Sequence, residues 1–496
     1  MLIPVILSGG NGSRLWPISH ETCPKPFIRF NDSLSLLQTT YQRALNIPDI
    51  TQIVTVTNSK YYYQSKIELN KLPALPKEKQ FSFLLEPVSR NTAPAIVLSA
   101  LFVQELINTD AILLILPVDH TISNQIKFNH SIKKALILAK QDLIVTFGII
   151  PNKAEIGYGY IEYSDYDNIN HSYQVKKFHE KPSLKKAEAF IEQGNYLWNS
   201  GIFCFSARTL IKNIEKYNPK LYIKTLDCWN RTKKNIFFQE KARKKLILDK
   251  KSFWLIEKIS VDYALMEKSK HIVVIPTNFG WSDIGSWDVL NKLLKPDIKG
   301  NCIVGNAILK KSEGTTIYNQ NKAKNRIIAA IGLNHLIIVD TPNALLVLNK
   351  EHTQDIKELV NELKSNHHEG EAYHQTVYRP WGYYTVLEHK KNYKLKQIVV
   401  NPGCSLSLQM HKHRSEHWVV IQGIATVRNN KAYFTLKKQE STFIPIGHKH
   451  CLSNLTLKKL VVIELQLGDY LGEDDIIRFS DNYKVSRYKE EVSTCL

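Results

Sequence analysis

The stretch Leu7-Ser8-Gly9-Gly10-Asn11-Gly12-Ser13-Arg14-Leu15 follows directly on an apolar run, beginning at Leu2, that reads as a first β-strand. Three glycines let backbone N–H groups approach phosphate oxygens closely, and the N-terminus of a following helix would add a favourable dipole. Arg14 can place its guanidinium fork on phosphate oxygens. Lys25, in Pro24-Lys25-Pro26, supplies a second cation within reach. The stretch therefore predicts a phosphate-binding loop that opens an α/β domain.

This loop differs from the two best-known glycine motifs. It is neither Gly-x-Gly-x-x-Gly nor a P-loop, because no Gly-Lys-Ser/Thr follows it. A glycine loop alone is also compatible with a purely structural turn. The two nearby cations favour phosphate binding over that alternative.

The region around the loop has the pattern of an α/β domain. Residues 1–290 alternate apolar strand-like runs with helical stretches, which is typical of βαβ units and a largely parallel sheet. The continuous apolar run at 112–116 indicates a strand buried on both faces. The expected strands are Leu2–Leu7, Gln52–Thr57, Ala111–Leu116, Leu143–Gly148 and His271–Pro276, and the expected helices include Thr92–Asn108 and Phe128–Lys140.

The pattern changes after Trp287. Residues 297–348 are short β-runs with Gly and Asn turns, and residues 351–366 form a charged helical segment. A polar linker follows at 367–371, whose two histidines are expected to be solvated. From there the chain alternates β-runs with Gly, Pro and Asn turns, which indicates a compact barrel or sandwich. The sequence thus predicts three domains, at 1–290, 291–366 and 367–496.

The length and charge of the chain limit the classes of protein to which it can belong. The chain has 496 residues, too many for one core. Its formal net charge of +20 would suit a nucleic-acid-binding protein. However, the lysines are spread among acidic residues, without a run of five or more basic residues or a nucleic-acid motif. Solvated lysine-rich faces are the favoured interpretation, and no nucleic-acid partner is expected.

The location is expected to be cytoplasmic, without a membrane partner. No stretch approaches the ~20 continuous apolar residues of a membrane span. The N-terminus lacks a basic segment and reads as a strand, not as a signal peptide. The seven cysteines are scattered and form no Cys-x-x-Cys pair, which fits a reducing compartment.

The run Gly9-Gly10-x-Gly12-Ser13-Arg14-Leu15-Trp16-Pro17, followed by Pro24-Lys25, resembles the signature of sugar-1-phosphate nucleotidylyltransferases, particularly mannose-1-phosphate guanylyltransferases. Later stretches resemble that family in the same order: 86–95, 117–120, 157–161, 180–182 with 198–201, and 279–287. The fold that this implies is a Rossmann-like, GT-A-like nucleotidyltransferase domain. The implied nucleotide-binding residues are Gly9, Gly10, Gly12, Ser13, Arg14, Lys25, Glu86, Asn91 and Ala93, and the implied sugar-binding residues are Gly159, Glu180, Lys181 and Asn199.

The same resemblance implies a magnesium site at Asp119 and Asp283. Asp119 follows a buried strand, where open α/β sheets bind ligands, although alone it could cap a helix. Asp283 alone could cap a turn. Together they offer the hard oxygen ligands that Mg²⁺ prefers. The implied reaction joins GTP to mannose 1-phosphate, with Arg14, Lys25, Asp119 and Asp283 as catalytic residues. His20 and Pro26 depart from the family, which more often has Arg and Gln there.

A second, independent motif lies near the C-terminus. Gln409, His411 and Glu416, between Gly403 and Gly423, fit a cupin first motif with Gln in place of its first histidine. His450, between Gly447 and Asn454, fits the second motif. Residues 409 and 411 share one face of a strand because side chains alternate. Mixed N and O ligands suit Zn²⁺, Co²⁺ or Mn²⁺. Alternatively, His411, His413 and His417 are polar residues on a surface strand.

The segments around this motif, at 379–382, 407–418 and 470–478, resemble the type II phosphomannose isomerase domain. In that family this domain follows a guanylyltransferase. The resemblance implies a C-terminal cupin β-barrel behind a short β-rich domain of left-handed β-helix type. It also implies interconversion of mannose 6-phosphate and fructose 6-phosphate, with Arg414 as candidate for the substrate phosphate or for proton transfer. Departures are Lys412, expected to point away from the metal, and Lys484, near the C-terminal turn.

Two alternatives remain open at this point. The cupin could be a structural or regulatory module behind a monofunctional guanylyltransferase, for example in a homo-oligomer. The general base of an isomerase is not identifiable from the sequence.

Overall fold

The computed structural model describes residues 1–10, 12–21, 23–29, 34–73, 75–76, 78–167, 172–234, 245–320, 326–342, 344–366 and 376–480. These residues form two compact units. The first consists of Met1–Ser19, Cys23–Cys302 and Lys350–Ile356, and the second of His20–Thr22, Ile303–Asn349 and Lys357–Leu496. The linker histidines at 367–368 and the departure at Lys484 lie outside the described residues.

The first unit alternates strands and helices, as the pattern predicts. Its strands are β1 (Leu2–Ser8), β2 (Gln52–Asn58), β3 (Gln80–Glu86), β4 (Ile112–Pro117), β5 (His120–Ile122), β6 (Ile144–Ile149), β7 (Tyr160–Asp167), β8 (Ser172–His179), β9 (Tyr196–Ser206), β10 (Lys245–Ile247), β11 (Ile272–Thr277) and β12 (Trp281–Asp283). Its helices are α1 (Leu36–Leu45), α2 (Tyr62–Asn70), α3 (Thr92–Leu106), α4 (Gln125–Ala139), α5 (Leu184–Gln193), α6 (Ala207–Tyr217), α7 (Pro219–Lys234), α8 (Lys250–Trp254) and α9 (Trp287–Lys292).

Ten of these strands form one sheet in the order β10-β3-β2-β1-β4-β9-β6-β11-β8-β7. The half from β10 to β4 is parallel throughout. The other half is mixed, because β9 runs antiparallel to both β4 and β6 and β7–β8 is a hairpin. The expected parallel sheet is thus confirmed only for the first half.

The sheet is covered on both faces, which explains its continuous apolar runs. On β1, Val5 belongs to one apolar cluster, which includes residues of α3 and α6, and Ile6 to another, which includes residues of α1 and α4. Helix α4 begins three residues before its predicted start, since Asn124 caps it by accepting a hydrogen bond from Lys127 N. The carboxyl ends of β1 and β4 are neighbours in this sheet, so the loops after them meet.

The second unit contains a group of short strands before the barrel. They are β13 (Cys302–Val304), β14 (Ala307–Lys310), β15 (Thr316–Asn319), β16 (Ile328–Ile331), β17 (Leu336–Asp340) and β18 (Leu345–Asn349), and α10 (Ile356–Ser365) follows. Strand β14 pairs with β16 and β15 with β17, in both cases parallel. Successive turns of chain therefore lie on each other, as in a β-helix. The left-handed sense stays a prediction.

The remaining strands form a barrel of two antiparallel sheets. They are β19 (Thr376–Arg379), β20 (Gly382–His389), β21 (Tyr393–Val400), β22 (Cys404–Ser405), β23 (Leu408–His411), β24 (Arg414–Gln422), β25 (Ala425–Asn429), β26 (Ala432–Leu436), β27 (Ser441–Ile444), β28 (His450–Asn454), β29 (Leu460–Gly468) and β30 (Ile476–Ser480). The sheet orders are β19-β20-β21-β29-β24-β27 and β26-β25-β28-β23-β30. Trp418 and Val462 of one sheet share an apolar cluster with Val427 and Leu452 of the other.

Within the described residues, none of the helices combines the length and apolar character needed to cross a membrane. Cys23, Cys204, Cys228 and Cys451 are free thiols.

Candidate functional sites

Gly9, Gly10 and Gly12 follow β1 at the carboxyl edge of the sheet. Gly10 and Gly12 have φ angles of +94° and +62°, which favour glycine. A Cβ atom on Gly12 would lie 2.5 Å from Ser19 Oγ and 2.9 Å from Lys25 Cβ. A Cβ atom on Gly9 or Gly10 would meet nothing within 4 Å. The backbone therefore borders open space at those two positions, as a phosphate-binding loop requires.

The prediction of a helix directly after this loop is wrong. Ser13–Leu15 form only a 3₁₀ turn, after which Trp16 has φ −57° and ψ 140°. Pro17 is the physical reason, since a proline ring disfavours the helical conformation at the residue before it. A phosphate at this loop would therefore meet the loop's own N–H groups and the exposed Arg14 side chain, without the dipole of an α-helix.

Lys25, Asp119 and Asp283 converge from three distant parts of the chain. Lys25 Nζ lies 2.7 Å from Asp119 Oδ2 and 3.2 Å from Asp283 Oδ1. Asp119 follows β4, and Asp283 ends β12, where it pairs with His120 of β5. A hydrogen bond of 3.0 Å from Ile284 N to Asp119 O links the residues that flank the two strands. The antiparallel β5–β12 pair thus brings both aspartates to one cation.

The electrostatics of this cluster suit a divalent cation. Burial alone would lower the pKa of Lys25, but the two carboxylates raise it above its usual value. Burial alone would raise the pKa of Asp119, but Lys25 and His120 lower it to about 2. Two carboxylates thus share one ammonium group. Ligand atoms of Asp119, His120 and Asp283 lie within 4.8 Å of one another, and oxygen donors at that spacing fit Mg²⁺.

The three residues expected around the nucleotide base lie between β3 and α3. Glu86 ends β3, and burial raises the pKa of its carboxyl to about 8. Its Oε1 has no hydrogen-bond partner among the described residues, so it is available to a ligand. Asn91, at φ +68°, accepts a hydrogen bond from Thr92 N and so caps α3. Ala93 is buried, and its N–H donates to Ile259 O.

The four residues expected to bind the sugar do lie together. Asn199 N donates to Gly159 O at 2.8 Å, and a Cβ atom on Gly159 would lie 2.8 Å from Glu180 Oε2. Lys181 Nζ lies 2.8 Å from Glu180 Oε1. Asn199 also donates to Asp262 Oδ1 at 3.1 Å. The strands β7 and β9, which are paired, hold this group in place.

Asp262 belongs to this group, and sequence reasoning missed it. Burial and the nearby Glu180 raise the pKa of its carboxyl to about 6. It opens a short π-helical turn, Asp262–Met266. The only signal in the sequence is a single aspartate next to a buried apolar stretch, and a lone aspartate is most often a cap.

The cupin residues converge on neighbouring strands inside the barrel. His411 Nε2 lies 2.9 Å from Glu416 Oε1, and His450 Nε2 lies 3.5 Å from Glu416 Oε2. Gln409 pairs with His450 in register, and Gln409 Nε2 lies 3.4 Å from His450 Nε2. His411, Glu416 and His450 are at most 2% exposed. The alternative of a surface histidine is therefore wrong for His411.

These side chains fit a divalent metal. Ligand atoms of His411, Glu416 and His450 lie within 4.8 Å of one another. His450 Nδ1 lies 2.9 Å from His448 O, which leaves Nε2 to face the cluster. Burial alone would raise the pKa of Glu416, but His411 and His450 lower it below its usual range. Two imidazoles around one carboxylate are ligands that Zn²⁺, Co²⁺ and Mn²⁺ accept.

Arg414 lies beside this cluster, at the wall of a cavity of about 430 Å³. Its Nη1 donates to Gly472 O at 2.7 Å. Its Nη2 is buried and has no hydrogen-bond partner among the described residues. An unpartnered buried guanidinium nitrogen favours contact with a ligand, since such a group is otherwise costly. Sequence reasoning assigned no role to several other polar residues of this cavity: Arg379, Lys396, Glu464, Gln466, Glu473 and Arg478.

Comparison with known proteins adds to this geometry. The chain matches the family described as Nucleotidyl transferase over residues 3–299. It matches the MannoseP isomerase/GMP-like beta-helix domain over 305–363 and the Mannose-6-phosphate isomerase C-terminal family over 366–481. It is 39% identical to a mannose-1-phosphate guanylyltransferase of Escherichia coli over 485 residues, which are 97% of this chain and 99% of that one. The chain belongs to the mannose-1-phosphate guanylyltransferase family.

Two further proteins are similar to this chain. The chain is 38% identical to the xanthan biosynthesis protein XanB of Xanthomonas campestris over 482 residues, 97% of this chain and 99% of that one. A crystal structure described as mannose-1-phosphate geranyltransferase from Thermus thermophilus is 24% identical, with a TM-score of 0.61, over 73% of this chain and 99% of that chain. The second likeness concerns the fold alone.

These findings confirm the resemblance and the expected fold of this guanylyltransferase-family chain. A nucleotidyltransferase domain, a β-helix-like domain and a C-terminal cupin-like domain follow one another. The departure at Lys412 does not disturb the candidate metal ligands, because Lys412 is exposed while His411 is buried.

Proposed function

We propose that this chain transfers GMP from GTP to α-D-mannose 1-phosphate, giving GDP-mannose and pyrophosphate. One observation carries the proposal: Lys25 Nζ lies between the carboxylates of Asp119 and Asp283, at 2.7 and 3.2 Å, beside a glycine loop with open backbone. The relatives named mannose-1-phosphate guanylyltransferase support the choice of GTP and of mannose.

Different residues of the chain have different roles in this reaction. The attacking oxygen of the sugar phosphate is already an anion, so no general base is required. Loop N–H groups and Arg14 hold the triphosphate, and Lys25 offsets charge that develops at the α-phosphorus. Asp119 and Asp283 would hold Mg²⁺, which neutralises phosphate charge when bound. Alignment of the two substrates supplies much of the remaining acceleration.

A separate group of residues would hold the sugar phosphate. Glu180 and Asn199 offer acceptors and a donor for sugar hydroxyls, and Lys181 offers a cation for the sugar phosphate. Asp262 fixes Asn199 through the 3.1 Å hydrogen bond. Glu86, with its unpartnered Oε1, is suited to accept hydrogen bonds from the base.

We further propose that the cupin barrel interconverts mannose 6-phosphate and fructose 6-phosphate. The buried cluster of His411, Glu416 and His450, next to a polar cavity of about 430 Å³, supports this second activity. With Gln409 it would hold a divalent metal, which polarises the sugar's carbonyl group when bound. The alternative is a barrel that serves only structure or regulation.

The first test measures nucleotide choice. Mannose 1-phosphate is incubated with Mg²⁺ and each of the four nucleoside triphosphates in turn, and released pyrophosphate is quantified. GTP should give the highest rate, since Glu86 can accept from the N–H groups of guanine. A higher rate with another nucleotide would overturn the assignment of GTP, and no release with any of the four would overturn the transfer reaction.

The second test separates the two roles of the barrel. Protein loaded with Zn²⁺, Co²⁺ or Mn²⁺ in separate samples is incubated with fructose 6-phosphate, and mannose 6-phosphate is measured. We expect its formation with at least one metal. Absence of product with all three, in protein that still transfers GMP, would leave the structural or regulatory role.

A further inference from the structure

The cavity of the barrel contains carboxylates that are not assigned to the metal cluster. Two of the residues that line it are Glu464 and Glu473. The side chain of Glu464 is 4% exposed, whereas that of Glu473 is 44% exposed. Glu464 therefore lies deep in the cavity, and Glu473 at its rim.

Strand pairing places Glu464 next to the metal cluster. Strand β29 pairs with β24 so that Gln466 lies opposite Glu416. The Gln466 side-chain amide donates to Glu464 Oε1 at 2.8 Å and to Glu416 Oε1 at 3.0 Å. One amide group thus joins the deep carboxyl to the carboxylate expected to bind metal. A sugar whose carbonyl faces the metal would have its neighbouring carbon within reach of Glu464.

The two ends of the cavity differ in their exposure to solvent. Arg379 and Arg478 line it and are exposed, whereas Glu464, Gln466 and Arg414 are buried. Exposed guanidinium groups at a cavity mouth suit a phosphate group. A hexose 6-phosphate with its phosphate at the mouth would extend C1 and C2 towards the buried end. Its reacting carbons would then lie beside Glu464.

The remaining groups of the lining are poorly suited to removing a proton from carbon. Lys396 Nζ lies 2.8 Å from Glu473 Oε1 and 3.8 Å from Glu464 Oε1. Burial alone would lower the pKa of Lys396, but these carboxylates raise it, so the amine stays protonated. Burial raises the pKa of Tyr384, and an arginine keeps its charge. The pKa of Glu473 is lowered by Lys396, although its burial acts the other way.

Glu464 differs from all of these. Burial, and then the charge of Glu416, raise the pKa of its carboxyl to about 8, although Lys396 opposes this. A group that titrates close to neutral pH both accepts and returns a proton efficiently.

We propose that Glu464 carries the proton between C1 and C2 of the sugar phosphate, which rests on the isomerase function proposed above. From open-chain fructose 6-phosphate, the Glu464 carboxylate takes a proton from C1. The C1–H electron pair forms the C1=C2 bond, and the carbonyl π pair moves to O2. In the second half, Glu464 returns its proton to C2 as the C1=C2 pair forms the C2–H bond. The O1 proton passes to O2 as C1=O1 forms, so no external oxidant or reductant is consumed.

The test replaces the carboxyl without changing its shape. Glu464→Gln should lower kcat for isomerisation by about 10²- to 10⁴-fold, the usual contribution of a proton-transferring side chain. In D₂O it should also lose incorporation of deuterium at C1 of fructose 6-phosphate, as measured by NMR. Metal content and the Kd for fructose 6-phosphate, measured by calorimetry, should stay within about twofold of wild type, and so should GMP transfer.

Matched variants make the outcome decisive. Glu388→Gln changes an exposed glutamate of β20 and should leave isomerisation unchanged, whereas Glu464→Asp should retain part of the deuterium exchange. If Glu464→Gln fails to fold, Glu464→Asp is compared with wild type instead, and an unchanged exchange rate would overturn the proposal. Wild-type exchange in Glu464→Gln, or its loss in Glu473→Gln alone, would overturn it as well. Absence of isomerisation in metal-loaded wild type would show instead that the isomerase function is wrong, and the role of Glu464 would fall with it.

Discussion

Asp119→Ala should reduce kcat/KM for GMP transfer on the order of 10²- to 10³-fold or more, which is the usual loss when one preorganised electrostatic group is removed. The reason is local. Asp119 supplies the closer of the two carboxylates on Lys25, at 2.7 Å, and is one of the two oxygen donors expected for Mg²⁺. Pyrophosphate release with GTP and mannose 1-phosphate measures the effect. Isomerisation by the same protein should stay within about twofold of wild type.

A matched control removes another carboxylate from the same unit. The Asp288 side chain is 46% exposed and pairs with Lys292 one helical turn away, at 2.7 Å, so Asp288→Ala should transfer GMP at the wild-type rate. Thermal unfolding of both variants shows whether each is folded. Nearly full transfer activity in folded Asp119→Ala would contradict the proposed metal site, and loss of both activities would contradict two independent sites.

His411→Ala is expected to have the opposite effect. Removal of an outer hydrogen-bond partner of a metal ligand already costs about 10- to 100-fold in metal affinity or activity, so loss of the ligand itself should cost at least that much. Metal content after dialysis and the rate of isomerisation should both fall, and GMP transfer should persist. The barrel is expected to remain folded, because its apolar cluster does not include His411.

The chain contains a close control for this change. His413 lies two residues further on and is exposed, so His413→Ala should keep the metal and the isomerase rate. Retention of metal in His411→Ala would argue against the cupin cluster as the binding site.

Much of the fold could be predicted because its signals are local. The five expected strands were found within one residue of their predicted ends, since continuous apolar runs bounded by turn residues define buried strands. Gln409 and His411 share a face by strand alternation, which is also a local property. Pro17 is also a local signal, and it argues against the helix that was predicted after the glycine loop.

The residues that were missed depend on pairing between distant segments. The link from Glu464 to Glu416 exists only because β29 pairs with β24 in one register, and a single sequence does not contain that register. A partial signal was present: Glu464 and Gln466 occupy the inward positions of β29, in phase with Leu460 and Val462. Polar residues at inward positions of an alternating strand indicate a site, because burial of such groups is otherwise costly.

That strand has a consequence for how the barrel tolerates change. Its inward side chains are apolar at one end, at Leu460 and Val462, and polar at the other, at Glu464 and Gln466. The first half of this strand thus packs into the apolar cluster of the barrel, and its second half lines the cavity. Substitutions at Leu460 and Val462 are restricted by the space that their apolar neighbours leave, and substitutions at Glu464 and Gln466 change the lining of the cavity. One strand thus combines positions that fill the interior with positions that face the cavity.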